Sequence, residues 1–533
     1  MDASGGELAK GSDRARIGAV GKSSGYDVVI VGAGSAGCVL AARLSEDPAC
    51  RVLLVEAGPD YPAAAVPADL ADGTHGTSTA SHDWGLRGTG AAGAPPLSLP
   101  RGKVTGGSSA VNATFALRGH PADYDGWSLP GWRFADVLPA FRRLERDLDF
   151  GAADHHGAGG PVPIRRYLGG QRSSLAVAAE EAIAATGFPR IDDHNAPGAV
   201  GVGALPVNCL DGRRISTAVA YLEPARQRAN LTIMAGRTVR EVVTRGRRAV
   251  GVALADPDEV VPADEVIVCA GAYLSPALLL RSGIGPAAEL TALGRRVVAD
   301  LPGVGANLAD HPAVAVDLEC APADGDPPIF QLVATAHSRQ AAPAGPPDLQ
   351  LVACGPYPAA GGRAGCMIAA ALLKPASRGR VRLRDAGPGS TPEIDLGYFR
   401  DPADLPRLLE GLRLADAAAR HPALAGLTGG RRLGPPPGAI ARDDAATEWI
   451  RTSAWTYHHP VGTCAMGLDP AAGAVVDPDA RVHGVDGLSV VDASIVPEIP
   501  SANTNIPVIM VAEHVAARRT SRRDERPAMA GAS

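Results

Sequence analysis

Residues 26–56 constrain this chain more than any other stretch. The run DVVIV at 27–31 has the length and β-branched composition of a strand buried on both faces of a parallel sheet. It leads into the turn GAGSAG, with Gly32, Gly34 and Gly37, and then into CVLAARL at 38–44, whose apolar residues suit a helix laid on the sheet. Gly32 permits a tight turn, Gly34 lets the backbone approach a pyrophosphate, and Gly37 lets the helix pack closely on the strand. Ser35 and Ala36, between those glycines, belong to the same phosphate-binding turn, where unpaired N–H groups and the helix dipole favour negative charge. A second strand, VLLV at 52–55, ends at Glu56, at the spacing where an acid accepts hydrogen bonds from adenosine ribose hydroxyls. A phosphate on that ribose would be repelled, which argues against NADP. Glycines alone also mark ordinary turns, so it is the ordered succession of strand, glycines, helix, strand and acid that identifies a dinucleotide site. It does not separate FAD from NAD.

A chain of 533 residues buries a large core and favours more than one structural unit. With 46% hydrophobic and 20% charged residues it reads as a soluble protein, and 64 glycines and 46 prolines predict long, turn-rich connections. The net charge of −6 and the lack of a basic run argue against nucleic acid as a partner, and no segment is long and apolar enough to cross a bilayer. Residues 1–25 carry scattered charges without an apolar core, which predicts a disordered leader rather than a secretory signal; residues 520–533 read as a disordered tail. Eight irregularly spaced cysteines give neither a disulfide framework nor metal-ligand spacing, so no metal is expected and the protein is read as cytoplasmic. Nothing in the residue pattern sets an oligomeric state.

Two further stretches carry structure. RGKVTGGSSAVN at 101–112 is a glycine and serine loop whose backbone N–H groups and small side chains suit a flat ring or a phosphate, although alone it could equally be a surface turn. EVIVCAGA at 265–272 reads as another buried strand. In the following YLSPALLLRSGIG, Ser275 suits a helix N-cap, Pro276 the first turn and Gly283 the stop; the plain alternative is an ordinary βα unit.

Together with HPVGTC at 459–464, these stretches in this order closely resemble the glucose/methanol/choline (GMC) flavin oxidoreductases, and the resemblance covers nearly everything from residue 26 to residue 518. It implies bound FAD, an α/β Rossmann-like flavin domain assembled from 26–160, 204–310 and 456–519, and an α+β substrate domain from 161–203 and 311–455 carrying an antiparallel sheet. It also implies cofactor contacts from Ala57, Arg101, Gly106, Gly107, Ser108, Asn112, Val239, Ala270, Gly271, Asp492, Ala493, Asn505, Ile506 and Pro507. Some members attach FAD through a histidine two residues after the second serine of the loop. This chain has Val111 there, so non-covalent FAD is expected. The segments LPGW, DLDF and GVGALPVN, at 129–132, 147–150 and 201–208, are similar to the mycofactocin-associated branch, whose members pass electrons to an acceptor other than oxygen.

Oxidation of an alcohol by hydride transfer needs a base for the hydroxyl proton, a task that suits a neutral imidazole. His459 fits the HPVGT pattern and is the expected base, with His458 a packing residue. Asn503 matches the position of a second histidine or asparagine, and its amide can donate to the substrate oxygen as charge develops. Asparagines in proline-rich turns are otherwise turn formers. The helix expected to open at Pro507 would aim its positive end at the flavin. Between 311 and 455, short apolar runs at 348–352 and 367–373 predict strands. No aromatic or acidic cluster there announces a quaternary ammonium or a sugar, and 4% aromatic content argues against a choline-type cage.

The leading expectation is an FAD-dependent alcohol dehydrogenase or oxidase with a small-molecule alcohol substrate and oxygen, a quinone or a redox carrier as electron acceptor. The alternatives are a lyase or light-driven decarboxylase of the same fold, whose branch lacks this histidine and has a cysteine where Leu373 stands, and a flavin-binding partner protein without turnover.

Overall fold

The computed structural model describes residues 25–524 apart from 257, 323–324, 343, 360–362, 386, 388–389 and 437. The expected leader lies outside the described residues except for Gly25. The last helix, Asn505–Asp524, runs into the stretch expected to be a disordered tail from residue 520, and the remainder of that stretch lies outside the described residues. The helix persists that far because it is tied down near its end: Arg519 donates to Glu265 and Ser489, and Arg518 donates to Asp479.

Two sheets organise the molecule. In the first, Leu231–Met234, Val52–Val55, Tyr26–Val31, Val260–Val268 and Leu488–Val490 run parallel side by side. Val31 stands opposite both Val55 and Val268, so three strands finish at one edge and the loops that follow them converge there. The apolar runs show no alternation because both faces are covered; the first helix, Ser35–Leu44, packs against Asn505–Asp524. The upstream half of Val260–Val268 continues as an antiparallel meander with Arg248–Leu254 and Val239–Arg245.

The second sheet is antiparallel throughout, in the order Arg432–Gly434, Pro312–Cys320, Arg363–Leu372, Leu349–Ala359, Phe330–Ala336 and Val202–Ala204, with Trp455–Thr456 beside the start of Pro312–Cys320. Side chains alternate between its faces. Leu351, Ala353, Ile368 and Ala370 enter a core shared with the helices Ser174–Ala184 and Asp404–Ala419, while Val352, Cys354, Met367 and Ala369 face a cavity. An α/β dinucleotide fold joined to an antiparallel substrate sheet is therefore what the chain forms.

Three local expectations need correction. Arg87–Ala91, in a segment assigned to the flavin side, pairs in parallel with Glu393–Tyr398, and Leu86, Ala91 and Leu99 belong to the substrate-side core. Its glycine-rich sequence gave no apolar signal for that partner. Ala204, expected to begin a flavin-side segment, ends the edge strand Val202–Ala204. The helix expected to start at Ser275 starts at Gly271, with Pro276 in its interior. The usual cost of an interior proline is an unpaired carbonyl four residues earlier. Here that carbonyl, on Ala272, accepts the Thr463 hydroxyl at 2.6 Å, so the HPVGT segment completes the helix that the proline interrupts.

Candidate active site

One cavity of about 550 Å³ runs from the glycine turn to His459. At the turn, Gly32 has φ +99°, a conformation that L side chains rarely adopt, and a Cβ on Gly37 would lie 1.9 Å from the Gly32 carbonyl oxygen. The glycine and serine loop docks on this turn: the N–H of Gly106 donates to the Ala33 carbonyl at 2.7 Å, and a Cβ on Gly107 would lie 2.6 Å from Gly34 Cα. Glu56 closes the same end. Its two oxygens accept the Ala33 and Gly58 N–H groups, each at 2.8 Å, and burial pushes its carboxyl above the usual range while those bonds oppose the shift.

Asp492 is likewise spent on the backbone and on hydroxyls. It accepts the N–H of Gly271 at 2.8 Å and of Ser494 at 2.7 Å, and the hydroxyls of both Ser275 and Ser494. It therefore pins the start of Gly271–Arg281 and its own turn. Ser35 donates to Asn505 at 3.1 Å, which joins the N-terminal ends of the first and last helices.

The far end is built by an uneven ladder. Val461 pairs with Ala309 on one side, and Thr456 pairs with Pro312 on the other. Three steps on one chain face five on the other, so two extra residues are extruded. That bulge carries His458, at φ +68°, and His459 into the cavity wall. The Asp310 carboxylate holds it from behind, accepting the N–H of His459 at 2.8 Å and of His311 at 3.0 Å together with the hydroxyls of Tyr398 and Thr456.

The His459 ring meets Asn503 Nδ2 through Nε2 at 3.1 Å and His311 Nδ1 through Nδ1 at 3.1 Å, with Tyr457 edge-on at 4.7 Å between centroids. Burial holds His459 well below the ordinary imidazole range, and the neighbouring His311, His458 and Arg101 add to that effect. His311 is pushed down to about 3 by burial and by Lys374, and His458 to about 3 by burial and Arg101. The ring is therefore neutral near pH 7, the state a base requires. Arg101 donates to the His458 carbonyl at 3.0 Å and lies over the Tyr273 ring.

The structure brings Gly32, Gly34, Ser35, Ala36, Glu56, Ala57, Arg101, Gly107, Ser108, Asn112, Val239, Ala270, Gly271, Asp492, Ala493, Asn503, Asn505 and His459 to one cavity. Gly37, Gly106, Ile506 and Pro507 stand behind its wall rather than on it. Sequence reasoning missed His311, whose only signal is an Asp-His pair ahead of an apolar strand. It also missed the aromatic cluster: Trp84, Phe115, Tyr273, Phe330, Trp455 and Tyr457 all line the cavity. Only Phe330 and Trp455 of these fall within 311–455; the cluster forms from residues scattered along the chain that meet only after folding.

A sequence profile described as GMC oxidoreductase matches residues 26–313, and a second GMC oxidoreductase profile matches residues 375–512. The chain belongs to the GMC oxidoreductase family. It is 40% identical to a 5-(hydroxymethyl)furfural oxidase of Methylovorus sp. (strain MP688), over 92% of this chain and 98% of that protein. It is 38% identical to an oxygen-dependent choline dehydrogenase of Paraburkholderia xenovorans (strain LB400), over 92% and 94%. Among solved structures it resembles pyridoxine 4-oxidase from Mesorbium loti, with a TM-score of 0.84, 34% identity and coverage of 93% of this chain and 99% of that one. As a member of this family the chain is an oxidoreductase, and its glycine turn and the His459–Asn503 pair line one cavity. Among the described residues no helix is long and apolar enough to cross a membrane.

Proposed function

We propose that the chain binds FAD without a covalent bond and oxidises the CH–OH group of uncharged aromatic or heteroaromatic alcohols, with His459 as base. One observation carries this reading: the glycine turn and the His459–Asn503 pair open into the same cavity. The wall also fits a large polar cofactor. Tyr273 OH, Tyr457 OH, His458 Nδ1, Asn503 Oδ1, Asn505 Nδ2 and the Nε and Nη2 atoms of Arg101 are buried without a protein partner among the described residues, a costly arrangement unless a ligand supplies the bonds. The glycine turn, Ser35 and the Gly107–Ser108 backbone would hold the pyrophosphate, and Glu56 retains lone pairs for ribose hydroxyls. FAD held there supplies the hydride acceptor. Val111, on the wall where some relatives link the flavin, offers no nucleophile, so acid precipitation should leave a colourless pellet and a yellow supernatant.

His459 Nε2 takes the hydroxyl proton as the C–H bond breaks, and the Asn503 amide orients that nitrogen. Only Glu56 and Asp492 among the lining residues are acidic, and both are committed at the nucleotide end. Beside His459 the lining offers no acidic side chain to pair with an ammonium, and the Arg101 guanidinium on the same wall disfavours a cationic substrate, so the cavity favours a flat neutral alcohol over choline. The relatives named as oxidases or oxygen-dependent support dioxygen as electron acceptor.

Anaerobic mixing with benzyl alcohol, 5-(hydroxymethyl)furfural and choline tests this. The two neutral alcohols should bleach the flavin and choline should not. His459→Ala should lower the limiting rate of bleaching by about 10³-fold with FAD content unchanged. Preferential bleaching by choline would overturn the substrate class, and bleaching of the variant at the wild-type rate would overturn the base.

A further inference from the structure

We propose that His311 is the positioning residue of the base: its Nδ1, 3.1 Å from Nδ1 of His459, accepts the ring N–H of His459 and so keeps Nε2 unprotonated, able to exchange the Asn503 donor for the hydroxyl proton. The proposal rests on the reading of His459 as base. Two ring nitrogens at this distance share one proton, and the direction of sharing follows from the other end of the ring. Asn503 Nδ2 donates to Nε2, so Nε2 is an acceptor and the His459 proton sits on Nδ1. His311 then receives at Nδ1 and carries its own proton on Nε2. The Leu373 and Pro500 carbonyls face that ring and favour its protonated nitrogen, though short of hydrogen-bonding geometry. His311 is fully buried, so water does not compete for the contact.

The chain has placed a neutral ring where many histidine bases have a carboxylate. Asp310 is adjacent, but it bonds the backbone N–H groups of both histidines and two hydroxyls, and neither ring. When Nε2 takes the hydroxyl proton, the Nδ1 proton stays on His459 and is only donated more strongly to His311. No proton passes to His311, and no anion traps the imidazolium, so His459 can release its proton afterwards. The groups facing His459 are His311, His458, Arg101 and Tyr457; those facing His311 are His459, Lys374 and the Asp310 backbone neighbour.

The test compares FAD-loaded wild type, His311→Phe, which fills the space without an acceptor, and His311→Asn, whose amide oxygen stands near where Nδ1 stood. Anaerobic bleaching by a reactive alcohol is followed across pH, beside ¹⁵N-histidine NMR spectra that assign the protonated nitrogen of His459. His311→Phe should lower the limiting rate about 10²-fold at unchanged substrate affinity, because the Nδ1 proton loses its acceptor and the Asn503 contact alone no longer holds the ring in the tautomer that keeps Nε2 free of a proton. Its acid limb should move to lower pH, since the imidazolium loses an acceptor. His311→Asn should recover most of the rate. The wild-type spectrum should show His459 protonated at Nδ1. A wild-type rate and pH profile in His311→Phe, with His459→Ala impaired, would overturn this proposal alone; an unimpaired His459→Ala would overturn the base reading and this with it. Should His311→Phe fail to retain FAD, the wild-type NMR decides: protonation of His459 at Nε2 sinks the proposal.

Discussion

At the glycine turn, acidic side chains are spent on the backbone: Glu56 on Ala33 and Gly58, Asp492 on Gly271 and Ser494. Around His459, by contrast, Asn503 Oδ1, Tyr457 OH and His458 Nδ1 are buried with no partner among the described residues. The first end is held in shape by its own bonds, so a ligand finds a finished cradle. The second end is left polar and unsaturated at a cost of roughly 1–3 kcal/mol per buried group, which only a bound ligand or reacting molecule can offset. The ionic cluster of Arg118, Arg166, His156, Glu145, Asp147 and Asp193 resembles the first end in pairing its charges against each other away from solvent, although Arg118 Nε, Arg166 Nε and Glu145 Oε2 have no partner among the described residues. What distinguishes the second end is that its unpaired groups belong to residues lining the cavity, as Asn503, Tyr457 and His458 do, whereas those of the ionic cluster do not.

The strongest way to break the comparison is to fill the cradle. A side chain on Gly37 meets the Gly32 carbonyl at 1.9 Å, a backbone contact that cannot yield cheaply. Gly37→Val should lose all bound flavin, read as visible absorbance of the purified protein. Full flavin occupancy in that variant would mean that the turn is not a rigid cradle.

The next largest effect belongs to the unsaturated end. Asn503→Leu removes the donor to His459 Nε2 and the amide facing the cavity, and should lower the limiting rate of anaerobic flavin reduction by about 10²-fold without altering flavin content. If only the apparent alcohol affinity changes, Asn503 serves ground-state binding, and the distinction between the two ends loses its catalytic meaning.

What was legible in the sequence divides along the same line. The cradle comes from contiguous residues whose spacing is dictated by a turn, so strand, glycines, helix and Glu56 can be read without the fold. His459 and Asn503 were legible only through motif resemblance. His311 was not legible, because its role depends on two extra residues in the 456–461 segment that extrude the facing histidines, an offset visible only once the backbones pair. The substrate wall was hidden for a similar reason. Val352 faces Ala369 and Cys354 faces Met367 across the sheet, and pairing register cannot be read from either strand alone.

The smallest predicted effect sharpens the comparison by asking two buried histidines opposite questions. In the charge-paired cluster, burial disfavours the His156 cation, but hydrogen bonds to Asp193 and Glu145 overcome it and push the imidazole up to about 9. A raised folded value means that the stabilisation is fully present below the unfolded value near 6.5 and is lost as pH rises through about 9. The advantage of wild type over His156→Gln in chemical denaturation should therefore shrink by about 2 kcal/mol between pH 7.5 and 9.5. At the unsaturated end no carboxylate pairs with the His459 ring, and its folded value is depressed by burial. Folding then opposes protonation, and wild type loses stability relative to His459→Gln as pH falls below 6.5, by about 1.4 kcal/mol at pH 5.5. Opposite signs in the two variants are the expected result, measured by denaturant titration of the flavin-loaded proteins. The same sign in both would mean that His459 is charge-paired in the folded state, and that the polar groups around it are scaffold like those of the cluster.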